Sequence, residues 1–274
     1  MNIAQALRQA AAGGIERLDA QLLMLHALRR PAGGRAWLLA HDDESLAPHV
    51  ARAFEALCAR RAAGEPVAYL VGRKEFFGLD LLVDERVLVP RPETETLVEW
   101  SLEVLAGRSA PLVIDLGTGS GAIALAIADR RRDAIMEAVD ASADALSVAS
   151  QNAARLNLPL RFKHGRWLAG CDGPYDLIVS NPPYVAEGDE HLRALQHEPR
   201  QALVAGADGL DDLRAIVQQA LRCLAPGGWL LLEHGWDQAA AVRGLLEAAG
   251  FADVSSRRDL AGIERCSGGR LERG

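Results

Sequence analysis

The stretch that most constrains the fold is Leu112–Arg130, "LVIDLGTGSGAIALAIADR". An apolar run too short for a helix, Leu112–Ile114, passes through Asp115 at its end into Gly117, Gly119 and Gly121. It then reopens with helical periodicity over Ala122–Arg130. A short run with no polar alternation reads as a strand covered on both faces. The glycines supply backbone conformations that a Cβ would forbid, where the chain reverses into the helix. Strand, glycine loop and helix together begin a parallel, helix-covered sheet.

The same alternation continues around this stretch. The spacing predicts a helix over Glu93–Leu105, a strand at Ile135–Val139 and a helix over Ala143–Leu156. Strands follow near Leu160–Lys163 and at Leu177–Ser180, then a helix over Leu210–Leu224. The strand "WLLLEH", Trp229–His234, and a helix over Gln238–Ala249 come next, and "FADVSSRRDLAGIERCSGG" supplies two closing strands. The expected fold class is therefore α/β, a doubly wound, mostly parallel sheet. Residues 1–72 read differently. "NIAQALRQAA", "RLDAQLLMLHALRR" and "SLAPHVARAFEALCARRAAG" are helical segments punctuated by glycine and proline, and together make a small helical bundle. Between the two, "EFFGLDLLVDERVLVP" has the apolar and β-branched texture of a β-hairpin. The expected organisation is a helical domain over 1–72, a hairpin linker over 73–91 and an α/β domain over 92–274.

Charge and composition narrow the function. A formal net charge of -7 argues against affinity gained by neutralising many phosphates, so no stable nucleic-acid complex is expected. No apolar run approaches the ~20 residues that span a bilayer. The first residues lack an apolar segment after a basic start, which argues against a secretory signal. Cys58, Cys171, Cys223 and Cys266 are scattered, with no C-x-x-C pair and no histidine at ligand spacing. Reduced thiols in a soluble cytoplasmic protein are expected, with no metal and no membrane.

The glycine loop has the spacing G-x-G-x-G, without the G-K-[ST] of a Walker loop. A tight turn alone would explain bare glycines. Asp115 before them, and Asp140 about 20 residues on at the end of the next strand, point instead to a nucleoside-type cofactor. Asp140 stands where it accepts hydrogen bonds from ribose hydroxyls. The spacing favours S-adenosylmethionine over NAD or ATP.

The strand Leu177–Ser180 runs into Asn181, Pro182, Pro183 and Tyr184. Asn-Pro by itself marks a turn. On the rim of a parallel sheet beside a methyl-donor site, the four residues have a chemical use. The Asn181 side-chain oxygen and the Pro182 carbonyl, held outward by the rigid backbone, accept the two hydrogens of an NH₂ group. Tyr184 lies flat against its planar substituent. "PRPETE", from Pro90, starts a helix, with proline in the first turn and Glu93 and Glu95 at the positive end of the dipole. The loop Val89–Pro92 before it is placed to form a wall of the substrate pocket. Glu233 and His234 are expected to support the site from its rim.

Taken together, "DLGTGSGAIALAIA", "NPPY", "LVPRPETETLVE", "LLLEHG" and "RDLAGIERCSGGR" resemble the release factor glutamine methyltransferases, the PrmC/HemK family. The resemblance runs over most of the chain. It implies a class I methyltransferase (Rossmann-like) domain behind a helical domain that holds peptide chain release factors. The implied reaction moves a methyl group from S-adenosyl-L-methionine to the side-chain N5 of the glutamine in a Gly-Gly-Gln loop. Asp115, Gly117, Thr118, Gly119, Ser120, Gly121, Asp140, Trp167 and Asn181 would bind the cofactor. Asn181, Pro182, Pro183, Tyr184, Arg91 and Pro92 would meet the substrate, with Asn181, Pro182 and Tyr184 catalytic. In "GRWLAG", Trp167 would pack on the adenine. Arg166 stands where the family usually has an acidic residue, which leaves the adenine amino group to Asp172 or a backbone carbonyl. Two other readings use the same residues: an adenine-N6 or guanine-N2 nucleic-acid methyltransferase, and a non-catalytic cofactor-binding protein.

Overall fold

The computed structural model describes residues 1–272. The chain divides into two compact units, Met1–Arg73 and a second that begins at Lys74.

The first unit holds five helices, α1 (Ile3–Ala12), α2 (Arg17–Ala27), α3 (Arg35–Ala40), α4 (Pro48–Ala62) and α5 (Val67–Val71). Asn2 caps α1 in a capping box with Gln5, so two otherwise unpaired N–H groups are satisfied reciprocally. Ile3, Leu23, Leu25, Leu38, Phe54 and Leu70 form part of its core. The sequence expectation of three helical segments undercounts this bundle. Five- and six-residue helices such as α5 and α3 are too short to show a period. The third segment also starts later than read, at Pro48, because Ser45 bridges to Asn2 in extended conformation.

The second unit opens with the last residues of a hairpin strand, β1 (Arg73–Phe76), which turns through Phe77 and Gly78 into β2 (Leu79–Leu82). Both turn residues have positive φ (51° and 82°), the two-residue geometry that suits the twist of paired strands. The strands therefore end at Leu82, short of the Pro90 read from texture. Phe76 and Leu81 join the core of the α/β unit, and Asn152 grips Leu82 with both ends of its amide.

After a 3₁₀ turn at Pro92–Thr94 the chain runs α6 (Glu95–Val104), β3 (Leu112–Leu116), α7 (Ala122–Arg130), β4 (Ile135–Asp140), α8 (Ala143–Leu156) and β5 (Arg161–His164). It continues with β6 (Tyr175–Ser180), α9 (Asp211–Cys223), β7 (Leu224–Glu233), α10 (Ala239–Ala248), β8 (Phe251–Arg258) and β9 (Glu264–Leu271). The sheet order is β5-β4-β3-β6-β7-β9-β8. The first five strands of that order are parallel, and β9 runs antiparallel to both β7 and β8. This is the doubly wound, mostly parallel sheet that the alternation predicts. Successive residues serve opposite faces. Val113, Leu177, Val179 and Leu231 pack with helices α6 to α8, while Ile114, Ile178, Leu230 and Leu232 pack with α9 and α10. Both faces are apolar, which is why the strands read as unbroken hydrophobic runs.

From β3 the chain winds outward through β4 and β5, then returns to place β6 on the other side of β3. The order reverses between β3 and β6, where Leu116 pairs with Ser180. Ligands of such sheets sit beyond the carboxyl ends at this reversal.

Candidate active site

The reversal is fixed by a buried hydrogen bond, in which the Ser180 hydroxyl donates to the Leu116 carbonyl at 2.7 Å. From these two residues the glycine loop and the Asn181 segment diverge. Gly117, Gly119 and Gly121 all have positive φ (69°, 54° and 83°), so the turn needs glycine at each. The N–H groups of Gly117 and Thr118 both donate to the Val139 carbonyl, and the Gly119 N–H donates to Asp140 Oδ2 at 2.9 Å. The other Asp140 oxygen accepts from the Ser142 N–H. Burial pushes the Asp140 carboxyl up, and the backbone N–H groups around it oppose that rise.

Asp115 lies within β3 and is fully buried. Thr118 Oγ1 donates to its Oδ2 at 2.7 Å, while Oδ1 meets no hydrogen-bond partner among the described residues. Burial raises its pKa to about 7, with Thr118 acting against the shift. Asn152 of α8 braces the loop from behind by donating to the Ser120 carbonyl.

A cleft of about 340 Å³ opens over this turn. Of the residues expected from sequence, Gly117, Gly119, Asp140, Trp167, Asn181 and Pro183 line it. Asp115, Thr118, Ser120, Gly121 and Pro182 are buried around it. A Cβ on Gly119 would meet no atom within 4 Å, so its face of the turn is open to the cleft. A Cβ on Gly117 would stand 3.4 Å from the Trp167 ring, so the edge of the indole faces this turn. An open glycine turn, a carboxylate with ordered oxygens and a buried indole fit a nucleoside-bearing cofactor.

The Asn181 segment is held from several sides. Asn181 Nδ2 donates to Thr94 Oγ1 at 3.3 Å, which directs the amide so that its oxygen is left for another donor. Tyr184 and Val185 donate their N–H groups to the Leu203 carbonyl, and Gln238 Nε2 donates to the Tyr184 carbonyl at 3.0 Å. The Tyr184 hydroxyl donates to Glu233 Oε1 at the end of β7. Glu233 is buried with Oε2 unpartnered among the described residues, and burial raises its pKa to about 7 against hydrogen bonds from Thr94 and Tyr184. Burial pushes the Tyr184 phenol up as well, and the Glu233 charge adds to it. His234 is buried between the Gly235 carbonyl and the Ser267 hydroxyl.

Arg91 and Pro92 do not line the cleft. Arg91 pairs with Glu198, whose other carboxylate oxygen accepts from the Val89 N–H at 3.0 Å. Glu198 thus ties the loop before α6 to the loop before α9, and Leu88 and Pro199 on those loops line the cleft. The exposed Asp172 is not among the lining residues, whereas Asp212 of α9 is. Thr94, Asn152, Glu198 and Asp212 have no local sequence signal. Only the tertiary fold brings them here.

Solved structures with the same architecture include a methyltransferase from Pyrococcus furiosus (TM-score 0.54, 20% identity, 78% of this chain and 98% of that one). The catalytic domain of hMettl16 is another (TM-score 0.60, 17% identity, 79% and 82%). At such identities they speak for the fold alone, which is that of the class I methyltransferases. Residues 99–241 match the Methyltransferase small domain family and residues 2–72 the PrmC N-terminal domain. The chain is 52% identical to the release factor glutamine methyltransferase of Burkholderia pseudomallei (95% of this chain, 94% of the relative). It is 51% identical to that of Xylella fastidiosa Temecula1 (97% of each) and 47% identical to that of Pseudomonas aeruginosa (93% and 92%). The chain belongs to the release factor glutamine methyltransferase family. It is a methyltransferase, and its cofactor is S-adenosyl-L-methionine.

Proposed function

We infer that the chain methylates the side-chain amide nitrogen, N5, of the glutamine in the Gly-Gly-Gln loop of peptide chain release factors. The observation that carries this reading is Asn181. Its amide is oriented by Thr94, so that an acceptor oxygen remains at the mouth of the cleft lined by the glycine turn. A primary amide has two hydrogens and a delocalised lone pair. Asn181 Oδ1 accepts one N–H and the Pro182 carbonyl the other, which favours a tetrahedral nitrogen with its lone pair free. Tyr184, tethered through its hydroxyl to Glu233, stacks on the planar amide.

When bound, the cofactor supplies an electrophilic methyl group on a sulfonium. The protein's part is to orient the nitrogen and to face the developing positive charge with fixed acceptor dipoles. The methylated nitrogen is cationic and releases a proton to water, so no strong general base is required. Gly117–Gly121, Asp115, Asp140 and Trp167 hold the cofactor. Arg91 and Pro92 form the outer wall toward the substrate, and residues 1–72 hold the release factor. The reaction belongs in the cytoplasm, where translation ends. Among the described residues no helix is long and apolar enough to cross a membrane.

The test offers labelled S-adenosylmethionine with purified release factor, its loop Gln-to-Ala variant and duplex DNA in parallel. Label on the release factor that disappears in the variant is the expected result. Label on DNA alone would move the chain to the nucleic-acid methyltransferases. No transfer with cofactor still bound would make it a binding protein.

A further inference from the structure

Asp212, in the first turn of α9, is 6% exposed yet lines the cleft. Its Oδ1 accepts two hydrogen bonds, from Arg166 at 2.8 Å and from the Trp167 indole N–H at 3.2 Å. Its Oδ2 accepts none from any side chain among the described residues. A carboxylate with one oxygen held by a guanidinium and an indole cannot turn away, and the second oxygen can only accept. An acceptor held in this way at the wall of the cleft, with no side-chain partner of its own among the described residues, favours a ligand group that brings an N–H.

The position of Asp212 says which N–H. Asn181 marks the end of the cleft where the methyl group reacts, and Asp140 beside the glycine turn faces ribose hydroxyls. Trp167 is the aromatic side chain of the cleft lining, and Asp212, bonded to it and to Arg166, lies at its edge. One edge of its indole faces Gly117 and its N–H points to Asp212. A flat base lying along this indole presents its exocyclic edge to the carboxylate. Arg166, 72% exposed at the side chain, also lines the cleft and holds Asp212 through its guanidinium.

We propose that Asp212 is the residue that reads the base of the cofactor, its free Oδ2 accepting the 6-amino group of adenine, with Arg166 and Trp167 as the positioning residues that hold it. The arrangement gives base specificity to a helix remote in sequence from the loop that carries the aromatic. This rests on the cofactor reading of the cleft.

The experiment measures binding by calorimetry, not turnover. Wild type, Asp212→Asn and Asp172→Asn are each titrated with S-adenosylhomocysteine and with S-inosylhomocysteine, which carries an oxygen in place of the 6-amino group. Wild type should bind the adenosyl compound at least about ten-fold more tightly than the inosyl one, as expected for a hydrogen bond to a charged group. Asp212→Asn keeps the shape and can still accept from Trp167, and its amide can donate to the inosyl oxygen. It should lose most of that ten-fold preference, while Asp172→Asn keeps it. Equal weakening of both compounds in Asp212→Asn would overturn the proposal and place the carboxylate against another part of the cofactor. So would an unchanged preference, or its loss in Asp172→Asn instead. Failure of wild type to bind either compound would overturn the cofactor reading itself, a result distinct from these. The wild-type comparison needs no variant, so it stands even if Asp212→Asn folds poorly.

Discussion

The Tyr184 hydroxyl and the Glu233 carboxylate meet at 3.4 Å across the carboxyl ends of β6 and β7. Tyr184 closes the segment that begins at Asn181, and Glu233 is the last residue of a core strand. The contact ties the segment after β6 to the end of β7, and Thr94, the partner of Asn181, acts on the same carboxylate. Two side chains, Tyr184 and Thr94, thus share one buried acid, and Thr94 in turn holds Asn181.

That acid makes stability depend on pH. Burial raises the Glu233 pKa to about 7 in the folded protein, against 4.5 for the exposed carboxyl. Between these values the folded chain binds more protons than the unfolded one, so stability is present below about 4.5 and is lost as pH rises through about 7. Glu233→Gln removes this loss. In chemical denaturation of the ligand-free protein, the variant should gain on wild type by ~3 kcal/mol between pH 4.5 and 8. Asp115 contributes in the same direction in both proteins and cancels. A difference that stays flat across this range would show that Glu233 is ionised throughout.

Removing the Asn181 amide tests the chemistry most directly. Asn181→Ala should lower kcat by about 10²–10³, the usual effect of deleting one fixed dipole at a reacting centre. Near-normal single-turnover rates would mean that the amide does not hold the reacting nitrogen.

How far the sequence foretold this site depends on the range of each contact. The glycine turn, Asp140 and Asn181 were legible because each sits at a strand end, and strand ends follow from hydrophobic runs. The closing antiparallel pair was legible as two strands, but its insertion of β9 beside β7 was not. Thr94 lies 87 residues from Asn181, and Glu198 lies 107 residues from Arg91. Pairings at that range leave no periodicity to read. Arg166 pointed to a missing carboxylate but not to α9, because only the packing of α9 on the sheet brings Asp212 to Trp167.

Glu198 should prove a clasp between two walls of the cleft. Glu198→Ala strips the Val89 N–H and Arg91 of their partner, and a buried group left so costs about 1–3 kcal/mol. The loss should appear locally. Hydrogen exchange at 87–91 and 199–204 should quicken by about ten-fold or more, with β3 and β4 unchanged. Uniform acceleration across the sheet would show a global loss of stability instead.

Gly209 sets the position of Tyr184 from behind. Its φ is +73°, and a Cβ there would overlap the Tyr184 carbonyl and stand 2.9 Å from Gln238 Nε2, the group that donates to that carbonyl. Gly209→Ala must therefore push Tyr184 forward and strain its own backbone, at about 1–3 kcal/mol. Glycine turn and Asp140 lie on other loops, so affinity for S-adenosylhomocysteine should hold. Turnover should fall by about 10²-fold, since a displacement near 1 Å is enough to lose the aligned geometry. Steady-state kinetics beside calorimetry separates the two readouts. If cofactor affinity and kcat fell together, Gly209 would be serving the fold as a whole, and the Tyr184 ring would owe its placement to Glu233 alone.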